Sequence, residues 1–399
     1  TMCTELAAVA ASVGGHEGAA IGGAADAINL SAREFWAATA GKAAQQMLDD
    51  VIFGRICEPR DELVDILRDQ WRLLGAPGLV NAAPAVQLAR DAIEQLEHDL
   101  CVVIDRHDDG GSMVRWIERR ARATVLYARP ADCGPILQRT LLSEASVRVF
   151  TSATLAVGED FGPFLRATGQ DEATVRMVLP GSFDYPSQAL LYLPRHVPEP
   201  WTEGREAGLA KEICRLCEAS MGGAFVLFTS RKSMNDAHWR VASQLNMTCL
   251  LQGTASKKAL LERFQQMQPA VLFATMGFWQ GVDLPGDILR LVVLDKVPFP
   301  PPGDPLFAAR AKRVEKAGKS SFSALSIPAA AIMLRQGFGR LIRGTGDRGV
   351  VAILDPRLTR RGYGKRLLHA LPPARRSASF ADVQAFFDNH ADHGTFASL

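Results

Sequence analysis

The run Ala224-Phe225-Val226-Leu227-Phe228-Thr229-Ser230-Arg231 decides the fold. Five consecutive apolar residues leave no polar face, so a strand here must be covered on both sides. The run then ends in two hydroxyls and a cation, just where helical spacing begins at residues 233–244. The same alternation repeats around it. Apolar strand candidates occur at 190–193, 248–251, 271–274, 291–294 and 350–354, and amphipathic helical patterns at 206–219, 257–266, 307–317 and 327–338. Buried strands alternating with helices predict an α/β domain with a parallel sheet, over residues 176–399.

The N-terminal part reads differently. Residues 30–56, 59–74 and 81–100 carry apolar side chains three and four apart among good helix formers, so 1–110 is expected to be helical and without strands. Gly14-Gly15, Gly22-Gly23 and Gly75-Ala76-Pro77-Gly78 are the expected breaks. The pattern changes at Asp109-Gly110-Gly111. Short β-branched and aromatic runs at 123–128 and 147–150 flank a helical stretch at 133–142, which predicts strand, helix, strand over a segment 111–175. The second strand would deliver Thr151-Ser152-Ala153-Thr154 at its carboxyl end, where α/β sheets place ligand loops.

Composition excludes several classes. With 47% hydrophobic and 22% charged residues the chain has the make-up of a soluble globular protein, and no apolar run reaches the ~20 residues a membrane span needs. The net charge of +2 hides an asymmetry: residues 1–110 hold 8 Lys/Arg against 18 Asp/Glu, and the remainder 37 against 25. The basic part is the side on which a polyanion would sit. Seven scattered cysteines and no secretory signal fit a reducing cytoplasm. Cys214-Arg215-Leu216-Cys217 lies inside a helical pattern with no second pair at zinc spacing, and the eight histidines form no metal-spaced pair, so no metal site is expected.

Chemistry concentrates in four places. Gln336-Gly337-Phe338-Gly339-Arg340-Leu341-Ile342-Arg343 puts two guanidiniums three residues apart on one expected helix face, a turn from a glutamine, and a planar, always charged fork suits phosphate oxygens. Gly339 is expected to permit close backbone approach. The bland alternative is a solvated basic helix face. Thr229, Ser230 and Arg231 stand where free N–H groups of a helix start and a cation can hold a phosphate, though Ser230 can equally be an ordinary N-cap. Gln252-Gly253 is a weaker case of the same kind. Thr275-Met276-Gly277-Phe278-Trp279-Gln280-Gly281-Val282-Asp283-Leu284-Pro285-Gly286 follows the strand at 271–274. Its Asp283 reads as a site residue or a turn cap, and Phe278 and Trp279 as base-stacking rings or core. Ser152 and Thr154 offer relay hydroxyls or a plain Ser/Thr turn.

In these motifs and their order the chain resembles the XPD/DinG family of superfamily 2 ATP-dependent DNA helicases, and within it the DinG-like bacterial branch. The resemblance is specific over about residues 120–375 and positional over 1–110. It implies a RecA-like second motor domain over 176–399, with the P-loop NTPase helicase fold. Before it would come a remnant of the first motor domain at 111–175 and an all-helical arch-like region at 1–110. It implies Arg340 and Arg343 as arginine fingers, Gln336 as the residue placing water or γ-phosphate, and Gly281 and Asp283 at the nucleotide cleft. Ser152, Thr154, Thr229, Ser230, Arg231, Gln252, Gly253, Thr275 and Trp279 would face single-stranded DNA. Gln280 stands where the family usually has Glu, and Gly181-Ser182-Phe183 where it tends to have Ser-Pro-Phe. No G-x-x-x-x-G-K-[ST] loop and no acidic D-E-A-H-type box occurs in these 399 residues. The chain is therefore expected to be the C-terminal portion of a longer 5′ to 3′ helicase. ATP and Mg²⁺ would be used by the intact enzyme, the missing motor domain would be a partner in cis or trans, and the iron–sulfur segment of the family would lie outside this chain. The competing reading is a non-catalytic nucleic-acid-binding or interaction module.

Overall fold

The computed structural model of the chain describes residues 2–41, 43–76, 84–104, 112–121, 123–143, 147–179, 181–279, 282, 284 and 288–391. They fall into two compact units, 1–133 with 302–313, and 134–301 with 314–399.

In the first unit the helices Met2–Val13, Gly15–Ala38, Asp50–Leu74 and Pro84–Ile104 pack around Ile21, Ile28, Phe35, Ile56, Leu67 and Ile93. Gly14 and Gly15 separate the first two helices, both with φ near +60°, a conformation that costs glycine least. Gly22-Gly23, expected as a break, lies inside the second helix, and Pro59 lies inside the third. Asp49 starts that third helix by accepting from Ile52 N at 2.9 Å. The expectation of no strand before residue 110 is corrected by β1 (Gln45–Met47), which pairs antiparallel with β2 (Met113–Arg120). β2 in turn pairs with β3 (Ala123–Pro130). The strand expected at 123–128 thus belongs to a hairpin in this unit, where Trp116 stacks on Tyr127 at 4.7 Å. Its Arg119 donates to Thr39 O and Ala43 O, absorbing carbonyls left open beyond the helix Gly15–Ala38. The helix Pro305–Lys316, expected at 307–317, lies mostly in this unit, and its Arg310 donates to Ala131 O at 2.7 Å.

The second unit is built on seven parallel strands: β4 (Ala189–Tyr192), β5 (Ala224–Phe228), β6 (Thr248–Leu251), β7 (Ala270–Thr275), β8 (Leu291–Leu294), β9 (Gly349–Ile353) and β10 (Arg375–Ser377). Their order across the sheet is β10-β4-β9-β8-β5-β7-β6. Every residue of β4, β5, β8 and β9 is buried, as their unbroken apolar runs require. Alternate side chains feed two cores. Phe225, Leu272 and Val292 face helices Lys257–Gln266 and Ile327–Leu341, while Phe228, Phe273 and Val293 face helices Arg205–Ala219, Arg231–Ala242 and Phe380–Ala391. Cys214 and Cys217 are buried in the second core, and burial pushes the Cys214 thiol up to about 11.

Residues 147–150 form no strand, contrary to expectation, and Val147 and Val149 are 78% and 83% exposed. An extended run becomes a strand only by exchanging hydrogen bonds with a neighbour, and none pairs with it among the described residues.

Candidate functional site

β7 and β8 lie on opposite sides of β5, so the direction of winding reverses at β5. In doubly wound sheets a ligand crevice forms outside the carboxyl ends at such a reversal. Along the carboxyl ends from this reversal to the sheet edge stand Thr229, Ser230 and Arg231 after β5, Thr275 closing β7, and Gln252 and Gly253 after the edge strand β6. Sheet register brings them together: Phe228 is level with Thr275, and Leu251 with Phe273. The Gln252 side chain spans the gap, its Oε1 accepting from Thr275 N at 2.7 Å and from the Thr275 hydroxyl at 3.0 Å. Ser230 caps the helix Arg231–Ala242 by accepting from Ser233 N at 3.2 Å, so the N-cap role is realised. Arg231 begins that helix and is exposed. The Thr229 Oγ1 is buried and finds no hydrogen-bond partner among the described residues.

Asp295, which the sequence reading did not single out, organises this edge. It follows β8, is 3% exposed, and accepts from Thr229 N at 3.2 Å. Burial pushes its carboxyl up to about 7, against the pull of Lys296, the Thr229 N–H and Arg205. The buried Arg205 donates to Asp295 O at 2.7 Å and Leu354 O at 3.0 Å, tying β8 to the end of β9. Nothing in a one-dimensional pattern marks the role of these residues, because the contacts that join Asp295, Thr229, Arg205 and Leu354 span 66 to 149 positions.

The second cluster lies around Val282. Helix Ile327–Leu341 runs three residues past the expected Phe338, and the extended backbone at Ile342 carries Arg343 out of it. The two arginines therefore do not share a helix face, yet they converge: Arg340 Nη1 and Arg343 Nη2 both donate to Val282 O, the latter at 2.8 Å. Burial draws the Arg343 pKa down and Asp347 opposes it. Asp347 Oδ2 accepts from Arg343 N and Gly344 N, both at 2.7 Å, fixing the turn after the helix. The 4%-exposed Gln188 clamps the same turn, donating to Gly344 O at 2.8 Å and Asp347 O at 2.9 Å. The sequence analysis singled out neither residue, although Gly344-Thr345-Gly346-Asp347 carries a turn signal that could have marked Asp347.

Gln336 is half-buried on this helix, and one residue before it Arg335 donates to Ala156 O, just past the Ser152/Thr154 motif. That motif is a local Ser/Thr turn in the exposed chain, with Ser152 Oγ 3.3 Å from Thr154 Oγ1. Among the described residues, a Cβ at Gly339 would meet nothing within 4 Å. Phe278 is core, 5% exposed beneath Lys257. Gly281 and Asp283 lie outside the described residues, as does the side chain of Trp279.

Residues 213–374 match the family model described as a helicase C-terminal domain. The chain is 38% identical over 271 residues to the ATP-dependent DNA helicase YoaA of Escherichia coli, covering 68% of this chain and 42% of that protein. It is 35% identical over 310 residues to the ATP-dependent helicase DinG of Mycobacterium tuberculosis, covering 77% and 44%. The chain belongs to the XPD/DinG helicase family. It spans under half the length of these relatives. An XPD helicase structure superposes with a TM-score of 0.57 at 15% identity, covering 93% of this chain and 64% of that one, and Xpd4 of S. tokodaii with 0.53 at 15%, covering 89% and 65%. The seven-stranded sheet is thus the RecA-like helicase fold, and the Val282 and strand-end clusters sit on the helicase C-terminal domain of a DinG-type chain. No described helix is long and apolar enough to cross a membrane.

Proposed function

We propose that this chain is the C-terminal portion of a cytoplasmic, 5′ to 3′ ATP-dependent DNA helicase, supplying arginine fingers and a single-stranded DNA track. The observation that carries the reading is the convergence of Arg340 and Arg343 on one carbonyl of the Gly281–Asp283 segment. Two guanidiniums directed to one oxygen are preorganised cationic donors, and a phosphate is a stronger partner for them than a neutral carbonyl. As the bond to the γ-phosphoryl breaks, Arg340 and Arg343 take up the charge spreading over its oxygens, and Gln336 orients the attacking water. The phosphate loop and the carboxylate for Mg²⁺ come from the other motor domain, because this sequence holds neither. At the strand ends, the helix start at Ser230–Arg231 holds DNA phosphates without reading sequence, while the Thr229 hydroxyl is buried and the Thr275 hydroxyl is engaged by Gln252.

The test uses the intact helicase. Arg343→Ala should lower kcat by about 10³-fold or more while single-stranded DNA affinity stays nearly unchanged. ATPase assays run in parallel with DNA titrations decide it, and loss of DNA affinity with kcat intact would place that arginine in the DNA track and refute the assignment.

A further inference from the structure

Away from both clusters, helices Arg205–Ala219 and Arg231–Ala242 enclose a groove whose lining includes Ala207, Ala210, Ala242, Lys211, Trp239 and Arg240. Trp239 is 75% exposed, an unusual state for the side chain with the largest apolar area to bury. The Arg240 guanidinium lies 5.8 Å from its ring, and Lys211 stands on the other helix. No carboxylate is among the lining residues, and among the described residues neither Lys211 nor Arg240 pairs with one. His238, half-buried, also lines the groove, and its ring meets Phe273 edge-on at 5.2 Å. Neither ATP hydrolysis nor the strand-end track employs this surface.

The lining chooses between two kinds of occupant. A nucleic-acid track relies on rows of cations along a backbone, and this groove offers two full charges beside alanine methyls, with Ser243, Gln244 and His238 completing its lining. Small residues under an aromatic wall instead leave room for an aliphatic or aromatic side chain, and a cation on each bounding helix matches carboxylates flanking it. We propose that the groove docks an acidic peptide segment of a partner protein, with an apolar side chain seated against Trp239 and the alanines and carboxylates on Lys211 and Arg240.

Three labelled probes test it on the full chain by fluorescence anisotropy: an amphipathic peptide of leucine and glutamate, its lysine-for-glutamate counterpart, and oligo(dT). The glutamate peptide should bind and the lysine peptide should not. Trp239→Ala should weaken the glutamate peptide by about tenfold or more, as removal of an aromatic anchor does. Trp239→Phe should retain most of the affinity, and Lys211→Glu with Arg240→Glu should abolish it. Circular dichroism confirms that each variant is folded, which the exposure of all three side chains favours. Glutamate-peptide binding that is absent, or indifferent to Trp239→Ala, overturns the proposal. So does oligo(dT) binding that requires Trp239 and displaces the peptide, which would assign the groove to nucleic acid.

Discussion

Replacing Asp295 by Asn should remove a fall in stability that the wild-type chain shows between about pH 4 and 7. The carboxyl is 3% exposed and is pushed from 3.8 to about 7 by burial, which disfavours its charged form. Between those two values the unfolded chain has released a proton that the folded chain keeps. The contribution of Asp295 is therefore fully present below the unfolded value and is lost as pH rises through the folded one. The gap, at about 1.4 kcal/mol for each pH unit, sets an upper bound of about 4 kcal/mol. Asn matches the shape and keeps an acceptor for Thr229 N, so any structural damage it causes is an offset independent of pH. Urea unfolding followed by circular dichroism at pH 5, 6, 7 and 8 gives the difference between variant and wild type, in which all other titrating groups cancel. That difference should move in favour of the variant by up to about 3 kcal/mol from pH 5 to 7, and level off above. A difference that stays constant across the range would refute a neutral buried carboxyl at this strand end.

Three further outcomes are expected. Arg231→Ala should reduce the dependence of single-stranded DNA affinity on salt by about one phosphate contact, a change of roughly 0.7 in the slope of log K against log salt, measured by anisotropy over a salt series. An unchanged slope would remove Arg231 from the track. Gly349→Ala should destabilise by about 1–3 kcal/mol in urea, because its Cβ would lie 2.5 Å from Arg290 O, which is already engaged by Val350 N, and 2.7 Å from Leu341. Phe264→Ala should cost about 3–5 kcal/mol by opening a cavity beside Phe225, whose ring it meets edge-on at 4.7 Å. Unfolding midpoints within experimental error of wild type for either core variant would contradict the packing described.

The parallel sheet was legible because its strands are buried on both faces, and burial on both faces writes itself into sequence as unbroken apolar runs such as 224–228 and 291–294. The Ser230 cap was legible for a related reason. Its geometry depends on a neighbour three residues away, and short spacings are fixed by helix and turn periodicity. The pattern at 123–150 misled because strand propensity records how a chain fits a pleated surface without naming the neighbour. The run at 123–128 found its partner in β2, while 147–150 found none among the described residues. Only the tertiary structure decided that Gln252 bridges to Thr275, that Gln188 holds the turn behind Arg343, and that Asp295 lies buried under Thr229. It alone also set both arginines on Val282 once the helix ended at Leu341. Each of these contacts closes a loop of more than 20 residues. Such contacts are set by how strands are ordered and helices packed across the whole unit, and a reading of local spacing contains no term for them.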